Sequence, residues 1–118
     1  MLTGVKQTNG FWQGVKLTNT NSAENVFAHT TIAYGGSSQG PGGVDPANLM
    51  FDGHDRALSN PVKVRLDEVA LQHSGNAGLY IERDVTLDSC SLIFKGNQGS
   101  DIAVNRRNPS TIQSKCAN

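Results

Sequence analysis

From Val62 the chain alternates in a regular way: Val62, Val64 and Leu66 are apolar, while Lys63 and Arg65 between them are charged. Asp67 and Glu68 interrupt the alternation, and Val69 and Leu71 resume it. A period of two places successive side chains on opposite faces of a strand, so this stretch predicts two short strands separated by a bend. The same writing returns in VTLDSCSLIFKGNQG, Val85 to Gly99, with the interruption at Asp88 and Ser89. A helical reading of LDEVALQ satisfies the i, i+3, i+4 rule, but the second copy carries Ser89, Cys90 and Ser91, poor helix formers soon followed by glycine.

Set one above the other, VRLDEVALQHSGNAG (64–78) and VTLDSCSLIFKGNQG (85–99) match at a spacing of 21. Leu66 meets Leu87, Asp67 meets Asp88, Leu71 meets Leu92, Gly75 meets Gly96 and Asn76 meets Asn97. Beyond the second glycine the lower copy gains two residues, so Leu79 and Ile81 match Ile102 and Val104. A looser copy, FAHTTIAYGG (27–36), lies 39 positions before Leu66 to Gly75. Short strands repeated at this period with glycine-marked corners predict an all-β, short parallel β-helix of about four coils. In such a solenoid each coil buries its apolar face only against its neighbours. Asn76 and Asn97 are then expected to stack as an asparagine ladder at one corner.

Here the chain resembles a family. The runs WQGVKLTNTNSAENVFAHTTIAYGGSS, VRLDEVALQHSGNAGLYIE and LDSCSLIFKGNQGSDIAV resemble the right-handed parallel β-helix proteins of bacteria, the pectate-lyase-like superfamily, over about residues 11 to 105. The resemblance implies a single right-handed solenoid domain spanning 1–118. Residues 1–20 form a cap or first coil, 37–61 an inserted loop in which Asn48 to Phe51 is apolar enough for a strand, and 106–118 a polar tail. It also implies two chemistries for acidic polysaccharides, calcium with an arginine base or paired aspartates. No aspartate-pair or arginine motif of either kind can be matched residue by residue. Calcium therefore enters only with an enzyme reading, and no other cofactor or metal is expected.

Composition narrows the partners. Lys plus Arg and Asp plus Glu total ten each, for a net charge of zero, which argues against nucleic acid or an anionic membrane found by bulk electrostatics. No apolar run approaches the roughly 20 residues of a membrane helix. The opening MLTGVKQTNGFW lacks the pattern of a signal peptide, so the chain reads as cytoplasmic as written and as extracellular if a leader was removed. Two cysteines are too few for a disulfide scaffold; Cys90 is expected to be buried as a small hydrophobe and Cys116 to be a free thiol.

The densest group of reactive side chains is DGHDR, where Asp52, His54 and Asp55 are candidates for a catalytic base or acid and Arg56 for an anion contact. The alternative is a solvated polar loop. The repeat alignment brings Tyr34, His73 and Phe94 into one row with Tyr80 nearby, either a strip for stacking on sugar rings or rings packed beneath the insertion. Trp12 reads as a cap or core residue. Three functions stay open: a non-catalytic binding module for a glycan or protein, a polysaccharide-active enzyme assembled as an oligomer, and a structural self-assembling protein. Because the ends of a β-helix expose unpaired backbone, a homodimer is expected. The far-UV circular dichroism should be dominated by strand, and a helical fraction above about a third would contradict the repeat.

Overall fold

The alternating stretches become strands, and those strands pair side by side in parallel. A computed structural model describes residues 2–3, 8, 10–18, 25–37, 46–52, 62–82, 85–105, 111–114 and 116. These residues form twelve strands in chain order: β1 (Leu2–Thr3), β2 (Val15–Thr18), β3 (Val26–Ala28), β4 (Thr31–Ala33), β5 (Ala47–Asp52), β6 (Val62–Asp67), β7 (Ala70–Gln72), β8 (Ala77–Ile81), β9 (Val85–Cys90), β10 (Ile93–Lys95), β11 (Ile102–Val104) and β12 (Thr111–Ser114). No helix occurs among the described residues, so none there is long and apolar enough to cross a membrane.

The strands sort into three four-stranded parallel sheets. Sheet A holds β1, β4, β7 and β10, sheet B holds β2, β5, β8 and β11, and sheet C holds β3, β6, β9 and β12. The chain therefore visits A, B and C in rotation, each pass laying one strand on each sheet. We call one such pass a circuit. The stretch 37–61, expected to be an insertion, supplies β5, which lies between β2 and β8 in sheet B. The polar tail supplies β12, the edge of sheet C.

In-register parallel pairing stacks like upon like. Ile32 faces Leu71 across sheet A, Leu49 faces Leu79 and Phe51 faces Ile81 across B, and Val62 faces Val85 and Val64 faces Leu87 across C. These side chains, with Leu66 and Val69, make one apolar cluster at or near complete burial. Half-buried Trp12 packs against it and donates its indole N–H to the Ala33 carbonyl (2.8 Å), in keeping with its expected cap or core place. The spacing of 39 between the first two copies holds, since Phe27 pairs with Leu66 and Ile32 with Leu71.

The spacing of 21 does not hold. Ala70 pairs with Ile93 and Val64 with Leu87, the same offset of 23 at which Leu79 and Ile81 meet Ile102 and Val104 as expected. A slip of two residues keeps every side chain on its own face, so alternation alone does not distinguish the two registers. The corners do. Glu68 (φ 51°) and Ser91 (φ 57°), and likewise His73 (φ 53°) and Gly96 (φ 66°), turn the chain in the left-handed region, and both pairs are 23 apart.

Cys90 and Cys116 are joined in a disulfide, and neither is a buried or a free thiol as expected from the sequence. The bond ties Cys116, two residues beyond the Thr111–Ser114 strand, back to the end of β9, stapling the last strand of sheet C to the stack. It spans a sequence separation of 26, and closing a loop of that size restricts the unfolded chain by about 3 kcal/mol. Cys90→Ser should therefore lower the melting temperature by about 10 °C, and the wild type should present no titratable thiol before reduction. A melting temperature unchanged by the substitution would show that the bond does not form.

Candidate functional site

The outer face of sheet C carries the chain's candidate site. Because Val62, Val64 and Leu66 point inward, strand alternation sends Lys63, Arg65 and Asp67 outward. The neighbouring strands obey the same parity, placing Thr86 beside Lys63, Asp88 beside Arg65, and Val26 on the other side of Arg65. Asn25, Val26, Lys63, Val64, Arg65, Thr86 and Asp88 line a shallow groove of about 340 Å³ on this face.

Its polar groups are held in place from the same sheet. Arg65 grips Asp67 two residues along its own strand with two bonds, Nε to Oδ2 at 2.9 Å and Nη2 to Oδ1 at 3.1 Å. This fork-on-carboxylate geometry fixes both side chains and neutralises the pair. Asn25 donates its amide to the Lys63 carbonyl across the strands (3.1 Å). The groove therefore offers Lys63 and Asp88 as charges of opposite sign, with Thr86 and Asn25 as neutral hydrogen-bonding groups and exposed Val26 as an apolar patch. Such a balanced floor suits a neutral, hydroxyl-rich ligand better than a strongly charged one.

The aromatic row is shorter than the sequence suggests. Tyr34 and His73 do stack, their ring centroids 5.0 Å apart and their planes inclined by 13°. Both occupy the left-handed corner after a sheet A strand. The third place in that row belongs to Gly96, over which the His73 ring lies so closely that a Cβ there would sit 2.5 Å from Nδ1. Phe94 instead faces Leu71 in the strand register and packs half-buried against the core. Tyr80 is buried on the other face of sheet B with Met50, Ala47 and Ala77, and its hydroxyl donates to Glu82.

Asp52 ends β5, 3% exposed, well away from solvent. His54, Asp55 and Arg56 lie outside the described residues. Among the described residues no three His, Cys, Asp or Glu side chains gather as a metal-ion site.

Asn76 and Asn97 each bind main chain and take different places. The Asn76 amide donates to the Pro46 carbonyl (2.9 Å). Asn97 donates to the Leu71 carbonyl (3.0 Å) and accepts from the Ser74 N–H (2.9 Å). The true counterpart of Asn97 is Asn48, which stands in the otherwise apolar stretch ANLMF. Fully buried, Asn48 accepts from the Gly35 N–H (2.7 Å) and donates to the Ile32 (3.1 Å) and Gln72 (2.8 Å) carbonyls. Leu71 and Ser74 follow Ile32 and Gly35 by 39, so the two asparagines clamp the same corner in successive circuits. An asparagine interrupting ANLMF was the available signal, since a buried amide must find partners.

Comparison with known proteins gives no match: no family model, no curated protein and no solved structure is significantly similar to the chain.

Asn48→Ala should destabilise the protein by about 3 kcal/mol, because it leaves one N–H and two carbonyls at a closed corner without this partner. Asn97→Ala, at the half-buried version of the clamp, should lose less. Urea denaturation of both variants checks the order, and equal losses would remove the distinction.

Proposed function

We propose that the three sheets are the faces of one right-handed parallel β-helix of four coils, similar to those of the pectate-lyase-like superfamily. We further propose that this β-helix serves as a non-catalytic binding module for a glycan. The rotation of the chain through sheets A, B and C supports the first part, and parallel crossovers are overwhelmingly right-handed. The groove on the outer face of sheet C carries the second. Its hydrogen-bonding groups stand on the neighbouring strands β6 and β9 and, with Asn25, just before β3, so a ligand laid across them meets groups held by the backbone ladder. The Tyr34–His73 stack offers a flat ring surface at a corner of the same molecule.

The binding reading is favoured over a hydrolase or lyase by what the carboxylates near these surfaces do. Asp67 is occupied by Arg65 through two bonds, so Asp88 in the groove is not matched by a second available carboxylate on the neighbouring strand to form an acid–base pair. A carboxylate so engaged serves position rather than proton transfer.

Native gels cast with a panel of soluble neutral and acidic polysaccharides, with and without calcium, test the proposal. The wild type should be retarded most in a neutral polysaccharide and should not depend on calcium. Joint replacement Lys63→Ala and Asp88→Ala removes two groove contacts at about 1 kcal/mol each, weakening binding by at least about tenfold. Uniform migration in every gel would remove the glycan reading. Retardation unchanged in the double variant would move the ligand off sheet C, and cleavage products in the same gel would replace binding with catalysis.

A further inference from the structure

Among the described residues, the last circuit leaves the core open. β10, β11 and β12 are each the edge of their sheet, hydrogen-bonded on one side only among the described strands. Their inward side chains follow the core rows: Ile102 faces Leu79, Val104 faces Ile81 and Ile112 faces Leu87. Leu79, Ile81 and Leu87 are completely buried, whereas Ile102, Val104 and Ile112 are 41%, 44% and 44% exposed. The first circuit is better closed, since its inward residues Val15, Leu17 and Phe27 are half-buried and Trp12 packs beside them. Apolar side chains ringed by three free strand edges form a surface that templates further pairing.

We infer that this open end is a docking surface for the same end of a second copy of the chain, giving a two-fold dimer. Size supports the occupant. The molecule measures 38 × 36 × 22 Å, and four rungs about 4.8 Å apart, spanning about 14 Å, fit along the shortest dimension. The end face is thus on the order of 1,000 Å², against the ~800 Å² each partner buries in a stable complex. A two-fold pairing opposes strands in antiparallel sense, which satisfies backbone groups at least as well as parallel pairing. It also closes on itself, with no open edge left to propagate a filament. This surface is distinct from the groove on sheet C, so either assignment stands or falls without the other.

Sedimentation velocity of the whole chain from about 1 µM to about 1 mM tests the inference. The wild type should move as a dimer over the upper part of that range. Ile112→Lys and Val104→Lys should each weaken the dimer at least about 100-fold while keeping the strand circular dichroism. Phe11→Ser, an exposed aromatic of the first circuit, should leave the dimer intact. Should the lysine variants fail to fold, hydrogen exchange of the wild type answers the same question. Amides of 93–95, 102–104 and 111–114 should gain protection at high concentration. A monomer throughout, a dimer indifferent to both lysines, unchanged exchange at those amides, or species growing past the dimer would each overturn it.

Discussion

Everything in this molecule depends on carrying a parallel hydrogen-bond ladder around a corner. Between sheet C and sheet A the turning residues are His29, Glu68 and Ser91, and after sheet A they are Tyr34, His73 and Gly96. All six hold positive φ, a conformation that is unfavourable by roughly 1 kcal/mol or more for a residue with a side chain. What holds them there is the ladder: His29 donates its N–H to Asp67, Glu68 to Cys90, Tyr34 to Gln72 and His73 to Lys95, at 2.8–3.1 Å. Each corner thus stays paired with the corner below it. Stacking left-handed residue on left-handed residue lets three short strands, too weak alone, share one uninterrupted network.

The same constraint orders the side chains at the corners. His29 and Glu68 pair as exposed neighbours in one row, and Tyr34 and His73 stack in the other. Just past the second row, Asn48 and Asn97 take up the main-chain groups that the turn leaves over. Corners built in this way are hydrogen-bonded from circuit to circuit, which keeps the outward side chains of sheet C in register across the strands.

Much of this was legible in the sequence because period-two alternation is a strong signal and survives small errors of alignment. The strands β6 to β11 follow from it, as does the offset of 39 that joins Tyr34 to His73. The offset of 21 was misleading because Asp67 and Asp88, and Gly75 and Gly96, match as letters while holding different structural places. A two-residue error costs nothing in facial parity, and only backbone angles reveal it. That error put Phe94 in the aromatic row and Asn76 beside Asn97. The buried clamp of Asn48 and the Cys90–Cys116 bond were hidden for another reason: both join residues through three-dimensional neighbours that no local pattern records. The outward charges of sheet C were legible as alternation, but their grouping into a groove required the register across three strands.

The two long central strands of sheet B differ from those of sheet C in one respect with a consequence for variation. β5 and β8 are buried on both faces, with Leu49, Phe51, Leu79 and Ile81 on one and Met50 and Tyr80 on the other. β6 and β9 alternate between buried and accessible positions. The centre of sheet B is therefore closed to almost any change of side-chain volume, while the centre of sheet C can exchange one outward residue for another without touching the core. The fold separates its keel from its deck: one wall is fixed by packing, and the other is free to acquire new chemistry over generations while the architecture beneath it stays the same.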